Sequence, residues 1–300
     1  MARKASRGQV LLGVIGGSGL YDIEGLTAVR DARMRTPFGV PSDAIRIGML
    51  DGVAIAFLSR HGRGHRLNPG EINYRANIYA MKALGVQRII SVSAVGSMKE
   101  SIRPGDVVLP DQFIDLTKRR ASTFFEGGVV AHVGFGEPVC PTVAHALAGA
   151  GQQTGASLHE GGTYICMEGP QFSTKAESRL YRQWGVDVIG MTNMPEAKLA
   201  REAEICYATM ALVTDYDCWH ETEEAVTVEA ILATLHQNVA LAKRMLRTVV
   251  PRLGAAASTC GCQQALQTAI VTAPDRISPA SRKKLGLFLD RLALPKKGKR

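Results

Sequence analysis

Long apolar runs are missing from this sequence. No stretch approaches the roughly 18 consecutive apolar residues that a membrane-spanning helix needs. The apolar segment after the basic start is too short for a signal peptide and is not followed by a small-residue cleavage site. We therefore expect a soluble, cytoplasmic protein. With 46% hydrophobic residues, the 300-residue chain can bury a sizeable core, as one large α/β domain or two small ones.

The paired cysteine motifs of zinc sites are also missing. Of six cysteines, only Cys260 and Cys262 lie close together in the sequence. A Cys-x-Cys pattern without a second pair is weak evidence for a metal, so we expect none. Free thiols are the default interpretation of the six, and structural disulfides are the alternative.

Neither a dinucleotide-binding glycine motif nor a Walker loop comes after the first predicted strand, residues 9–15. The strand leads instead into Gly16-Gly17-Ser18-Gly19. The backbone N–H groups of such a turn and the Ser18 hydroxyl can hold an anion, although a tight strand exit is the simpler alternative. We expect no resident cofactor.

The net charge of +9 at pH 7 invites comparison with nucleic-acid-binding proteins, but its location argues against that class. Seven cations without a single acid stand in the two terminal segments, 1–8 and 295–300, and subtracting them from nine leaves a body of only +2. No interleaving of basic and aromatic residues accompanies the charge. We expect weak polyanion attraction by the tails and no specific nucleic-acid partner.

Two apolar runs, 186–189 and 208–213, each stop abruptly in a polar cluster. Their composition predicts buried parallel strands. Because ligands bind at the carboxyl ends of strands in open α/β sheets, Asp215 and Asp217 after the second run are candidate acids. Apolar surroundings would raise the pKa of such a carboxyl group. A turn or a helix cap is the alternative for an Asp-x-Asp pattern.

Two further predicted strands end in groups that suit an oxyanion. Residues 53–59 lead into Arg60 and His61, and residues 88–92 lead into Ser93 and its small neighbours. Arginine presents a planar fork of donors that matches phosphate oxygens. For the basic segment 60–65 alone, a solvated loop is the alternative. Several such strand exits converging on one anion form a more specific pattern than any one of them.

The remaining periodicity predicts a single α/β domain with a central mixed sheet flanked by helices. Further predicted strands are 107–109 and 163–167, and predicted helices are 72–84, 142–152, 178–184, 195–204 and 228–250. We predict a basic tail over 1–8, a domain over 9–253, and an extension over 254–300 with a helix at 282–292. Residues 117–138 are expected to form an irregular loop that carries His132, and Phe172 lies in a turn, where it can stack on a flat ligand or join the core.

Several segments, in this order, resemble the methylthioadenosine phosphorylases of the purine nucleoside phosphorylase superfamily. They are GGSGLYD, RHGRGHRLNP, NYRANIYAMKALG, PGDVVLPDQFID, MEGPQFSTKAES, MTNMPEA and ATMALVTDYDCW. The resemblance covers residues 9–253 and implies a mixed β-sheet wrapped by helices. It also implies a homotrimer whose active sites lie near subunit contacts.

The resemblance implies a role for each matching residue. The phosphate pocket would be Ser18, Arg60, His61, Ser93, Ala94 and Thr192. Ser18 and Ser93 stand where the family often has threonine, so a hydroxyl is kept. Met191 would lie against the ribose, Phe172 and Ser173 beside the base, and Asp215 and Asp217 at the purine edge. Val228, Ile231 and Leu232 would line a 5'-methylthio pocket, which His132 of a neighbouring subunit would approach.

These expectations together imply phosphorolysis of S-methyl-5'-thioadenosine to adenine and 5-methylthioribose 1-phosphate. Inorganic phosphate is then a co-substrate, and Asp215 donates or shares a proton at N7 of the purine. A carboxylate can also accept from a 6-amino group, so two acids favour adenine over 6-oxopurines. The alternative is a broader purine nucleoside phosphorylase that acts on adenosine or inosine.

Overall fold

The computed structural model describes residues 12–17, 20, 23–220, 228–256 and 259–292; for 228–233 and 235 it describes the helical backbone alone. Within these ranges eleven strands form a single sheet. They are β1 Leu12–Gly16, β2 Thr27–Ala32, β3 Ile45–Leu50, β4 Val53–Ser59, β5 Arg88–Ser97, β6 Val107–Leu109, β7 Gln112–Asp115, β8 Leu158–Glu160, β9 Thr163–Cys166, β10 Val188–Gly190 and β11 Cys206–Asp215.

Helices lie between and after these strands. They are α1 Tyr74–Ala83, α2 Pro141–Thr154, α3 Lys175–Gln183, α4 Asn193–Glu202, α5 Val228–Ala255 and α6 Pro279–Leu289, with short 3-10 helices at Gly261–Gln264 and Pro274–Arg276. None of the described helices combines the length and the apolar character needed to cross a membrane.

The centre of the sheet is parallel, which places several strand ends at one edge. β1 pairs in parallel with β4 and β5, and β5 pairs in parallel with β11 from Cys206 opposite Arg88 to Asp215 opposite Gly96. Long buried strands of this kind arise from near-continuous apolar runs. The carboxyl ends of β1, β4, β5 and β11 therefore meet at the same edge.

The two faces of the sheet bury separate hydrophobic clusters. One contains residues of α1, α4 and α6, such as Ile78, Leu199 and Phe288. The other contains residues of α2 and α5, such as Leu147 and Leu246. The predicted mixed sheet with helices on both faces is confirmed. The proposed division of the chain at residue 253 stays a prediction, although α6 packs in the same core as α1.

Three local predictions need correction. β5 does not stop at Val92 but continues to Ser97, because β11 pairs with it as far as Gly96 and β10 joins its end. The run 186–189 was predicted to form a parallel strand, but the observed strand β10 is parallel to β9 and antiparallel to β5. The last helix lies at Pro279–Leu289 rather than 282–292, since the hydroxyl of Ser278 accepts from the Ser281 N–H and caps it one turn earlier.

The hairpin of β3 and β4 was not predicted, although its turn carries a local signal. Asp51 and Gly52 join the two strands with φ angles of 47° and 79°. An Asp-Gly pair with positive φ at both positions is typical of a two-residue hairpin. This hairpin positions the end of β4 beside β1, and Arg60 comes directly after it.

Candidate functional site

A cavity of about 830 Å³ opens at the carboxyl edge of the parallel strands. Of the predicted site residues, it is lined by Arg60, His61, Phe172, Met191, Ser93, Ala94, Thr192, Asp215 and Asp217. These residues come from segments that are far apart in the sequence. Ser18 lies outside the described residues, as do the side chains of Val228, Ile231 and Leu232.

Arg60 is almost wholly buried, and Glu196 of α4 holds its guanidinium in a bidentate ion pair. Nε donates to Oε2 at 2.8 Å and Nη2 to Oε1 at 3.0 Å. Nη2 also donates to Ser91 at 2.7 Å, and Nη1 to the Val92 carbonyl at 2.9 Å. Burial would lower the pKa of Arg60, but the charge of Glu196 more than compensates and raises it. Most of the N–H groups of Arg60 are therefore used in hydrogen bonds within the protein.

Arg60 is also one of the residues that line the cavity. A guanidinium has five N–H groups, two of them on Nη1. Among the described residues Nη1 has one acceptor, the Val92 carbonyl. The second N–H of Nη1 is therefore the candidate donor to an anion in the cavity.

Glu196 was not predicted as part of the site. It is fully buried and also accepts from Ser91 at 2.8 Å and from the Tyr207 hydroxyl at 3.0 Å. An acid inside the predicted helix 195–204 gives no sign in the sequence of facing inward. Its partner is 136 residues away in the chain, so only the fold reveals the pair.

Two hydroxyls lie side by side in the cavity wall. Ser93 Oγ of β5 and Thr192 Oγ1 at the start of α4 are 3.1 Å apart, and the Tyr164 hydroxyl is 3.3 Å from Ser93 Oγ. Each hydroxyl can rotate to donate to a ligand. The predicted convergence of Ser93, Thr192 and Arg60 at one cavity is therefore found in the structure.

His61 is buried beside them and is held in one tautomer. Its Nδ1 is 2.9 Å from the Leu67 carbonyl, which can only accept, so Nδ1 carries the proton and donates. The pKa of His61 is lowered to about 4, mainly by burial and to a smaller extent by the Arg60 charge, while the hydrogen bond to Leu67 acts in the opposite direction. At neutral pH the other nitrogen, Nε2, is consequently an acceptor.

The two aspartates form a connected pair at the end of β11. The Asp217 N–H donates to Asp215 Oδ1 at 2.8 Å, and the Thr214 hydroxyl donates to Asp215 Oδ2 at 2.7 Å. Ser178 donates to Asp217 Oδ2 at 2.5 Å. Burial raises the pKa of Asp217, although the Ser178 hydrogen bond opposes it. A raised pKa was predicted for this pair, and Asp217 has one.

Gly96 leaves the space that the aspartate pair occupies. A Cβ atom at this position would lie 2.9 Å from Asp215 Oδ1 and 3.4 Å from Asp217 Cβ. Gly96 stands opposite Asp215 in the β5–β11 register. A glycine inside a strand often marks such a close approach, and this was the available signal.

Arg120, from the loop 117–138, ties two cavity walls together. Its side chain is 1% exposed and donates to the Glu168 carbonyl at 2.6 Å, which starts the turn carrying Phe172. It also donates to the Met191 carbonyl at 2.6 Å and to the Tyr74 hydroxyl at 3.0 Å. The sequence did not single Arg120 out, because one arginine in a polar loop resembles any solvated cation.

The other predicted substrate contacts differ in position. Phe172 lines the cavity and is 54% exposed, which excludes the core interpretation within this chain. Ser173 is not among the lining residues, and its hydroxyl is 3.5 Å from Met167 Sδ. His132 is exposed outside the cavity. Its contact with a neighbouring subunit stays a prediction.

Comparison with known proteins agrees with this geometry. The family described as the phosphorylase superfamily matches residues 11–251. An S-methyl-5'-thioadenosine phosphorylase of Geobacter sulfurreducens is 60% identical over 280 residues, covering 93% of this chain and 98% of that protein. One from Gloeobacter violaceus is 58% identical over 285 residues, covering 94% and 95%.

Solved structures give the same result. A methylthioadenosine phosphorylase from an antarctic soil metagenomic library superposes with a TM-score of 0.91 at 49% identity, covering 94% of this chain and 100% of that one. A methylthioadenosine phosphorylase from Schistosoma mansoni in complex with adenine has a TM-score of 0.81 at 36% identity, covering 85% and 96%. Sequence, fold and relatives agree that the chain belongs to the phosphorylase superfamily.

Proposed function

We propose that this protein catalyses the phosphorolysis of S-methyl-5'-thioadenosine to adenine and 5-methylthioribose 1-phosphate. The observation that carries the proposal is a single cavity lined both by an oxyanion-binding group and by the Asp215–Asp217 pair. The relatives named as S-methyl-5'-thioadenosine phosphorylases support this choice of substrate.

Phosphate binds, in this proposal, against Ser93, Thr192, His61 and the cavity edge of Arg60. The two hydroxyls and the Arg60 N–H donate to its oxygens. The neutral Nε2 of His61 accepts from the one O–H that phosphate keeps near neutral pH. Ser18 and the backbone of Ala94 complete the predicted pocket. Glu196 acts by fixing the position of Arg60, so the anion meets donors that need no rearrangement.

The aspartate pair acts on the leaving base. As a phosphate oxygen bonds to C1' of the sugar, the bond from C1' to the purine breaks, and its electron pair passes to the base. A protonated carboxyl group gives its proton to N7, and the remaining carboxylate oxygens accept from the 6-amino group. Burial raises the pKa of Asp217, which favours the protonated form of this carboxyl group.

The test is phosphate dependence. Adenine release from S-methyl-5'-thioadenosine should require phosphate, with 5-methylthioribose 1-phosphate as the second product, detected by phosphorus NMR. Equal adenine release without phosphate would identify a hydrolase and overturn the proposal.

Adenosine is the second candidate substrate. A structural neighbour from Schistosoma mansoni is named an adenosine/methylthioadenosine phosphorylase. Specificity constants for methylthioadenosine, adenosine and inosine separate the candidates. We expect methylthioadenosine to be used best and inosine worst, because two carboxyl groups suit a 6-amino group. A preference for inosine would contradict the role given to the aspartates.

The remaining parts of the proposal rest on the family resemblance. Phosphate is the co-substrate, and no other cofactor is needed. Met191 lies against the ribose, and Phe172 and Ser173 lie beside the base. Three copies assemble, so that His132 of one subunit approaches the 5' pocket of the next. Sedimentation analysis tests the trimer, and His132→Ala should raise the KM for methylthioadenosine if it reaches that pocket.

A further inference from the structure

Four cysteines meet at the opposite end of β11 from Asp215. Cys206 is the first residue of β11, Cys140 stands just before α2, and Cys260 and Cys262 lie at the 3-10 helix Gly261–Gln264. All four sulfur atoms lie within 4.8 Å of one another. The phosphorolysis proposed above uses none of them.

The spacing of these sulfurs suits a single tetrahedral ion. A zinc ion with zinc–sulfur bonds of about 2.3 Å places its ligands about 3.8 Å apart at the corners of a tetrahedron. Cys206 Sγ and Cys260 Sγ are 3.3 Å apart, and the other pairs stay under the 4.8 Å limit. Small side-chain rotations bring such a group onto one ion.

Most of the site is closed to solvent. Cys140, Cys206 and Cys262 are buried, and Cys260 is partly exposed, which gives an ion a path inward. Cys140 stands at the N-terminus of α2, and a helix N-terminus stabilises a thiolate.

We propose that Cys140, Cys206, Cys260 and Cys262 bind one zinc ion as a structural tetrathiolate site. Up to four thiol protons leave as the four zinc–sulfur bonds form. Four protein ligands leave no position for water or substrate, which is typical of structural rather than catalytic zinc. This proposal is the alternative to the expectation, drawn from sequence spacing, that the cysteines bind no metal.

The ion would fasten the C-terminal segment to the sheet. Cys260 and Cys262 belong to residues 259–292, whereas Cys206 and Cys140 belong to the core of the domain. At about 3.3 Å per residue, the length of β11 separates Cys206 from Asp215 by about 30 Å. Zinc should therefore affect stability and leave the reaction at the far end unchanged.

The first experiment measures metal in the full-length protein, purified reduced and without chelators. We expect about one zinc per chain by plasma mass spectrometry. Replacing it with cobalt alone should give the intense visible bands of tetrahedral cobalt thiolates. Stoichiometric iron in place of zinc would overturn the identity of the ion. Reduced thiols that bind neither zinc nor cobalt would overturn the site.

Variants locate the ligands. Cys262→Ser should lose most of the bound zinc and the cobalt spectrum, and Cys218→Ser, outside the cluster, should retain both. A metal-free wild-type protein with disulfides between these cysteines, found by peptide mass spectrometry, would contradict the proposal. If Cys262→Ser does not fold, the cobalt titration of the wild-type protein still decides.

Discussion

The two ends of β11 carry different chemistry on the same strand. At Asp215 the strand leads into a cavity that is lined by carboxyl groups, hydroxyls and two arginines, Arg60 and Arg66. At Cys206 it ends in a closed group of four thiols, whose sulfur atoms lie within 4.8 Å of one another. Polar groups that face a cavity can act on a bound ligand. Polar groups whose neighbours all belong to the protein can act only on the stability of the fold.

Asp215→Asn should produce the largest effect on the cavity end. An amide at position 215 cannot carry the proton that the Asp215–Asp217 pair gives to N7, and positioned acid catalysis contributes about 10²–10⁴ in rate. We expect kcat for methylthioadenosine to fall by about that factor, measured by adenine release. Cys262→Ser, at the other end of β11, is the matched control, and its kcat should stay near that of the wild type. An unchanged rate in Asp215→Asn would remove it as an acid.

Glu196→Gln should produce the largest effect on stability. It leaves the Arg60 charge buried without a partner, which costs about 3–5 kcal/mol. Denaturant unfolding measures this change, and the KM for phosphate should rise as Arg60 loses its fixed position. Glu24→Gln breaks the exposed pair of Glu24 with Arg247 and should cost no more than about 1 kcal/mol. Equal losses in the two variants would contradict the structural role of the buried pair.

We expect His61 to make the free energy of unfolding depend on pH in the acid range. The folded protein holds the pKa of His61 at about 4, below the usual 6.5. Between these two pH values the unfolded chain binds a proton that the folded protein refuses, so stability falls as the pH drops through this window. The size is about 3 kcal/mol at most.

The measurement is the free energy of unfolding between pH 7 and pH 4, without phosphate. His61→Asn should flatten the slope, because it removes the titrating ring and keeps a donor for the Leu67 carbonyl. His132→Asn makes the same substitution outside the cavity and should retain the slope. A His61→Asn slope like that of the wild type would show that other groups cause it.

Ser178→Ala should produce the smallest of these effects. Removing the hydrogen bond to Asp217 Oδ2 lets burial raise the pKa of Asp217 further. A hydrogen bond to a charged group is worth about 1.5–3 kcal/mol. The fall of kcat at high pH should therefore move upward, because the proton is retained longer. An unmoved profile would show that the reaction does not use the Asp217 proton.

Local patterns predicted many elements of the fold and left others out. The apolar run 53–59 coincides with β4, and the helical periodicity from Val228 matches α5. β2 was missed because it lies exposed at the sheet edge, without a buried face to create alternation. The end of β5 was misjudged because Ser93 and Gly96 weaken its apolar pattern, while pairing with β11 and β10 extends it.

The candidate site divides in the same way. Arg60, His61, Ser93 and the aspartates were found because polar residues after or within apolar runs stand out in a sequence. Glu196, Arg120 and Ser178 act through partners 136, 48 and 39 residues away, and no local pattern marks such distances. The cysteine cluster likewise joins three distant segments of the chain, so sequence spacing shows only the Cys260–Cys262 pair.

The α/β class, the family resemblance and most of the residues that face the cavity could be derived from the order of amino acids, because apolar periodicity and short motifs are local properties. Only the folded chain revealed three other features. They are the pairing of Arg60 with Glu196, the raised pKa of Asp217 and the cluster of four thiols at the Cys206 end of β11. Burial and charge pairing depend on which segments the sheet brings together, and the order of strands in space differs from their order in the chain.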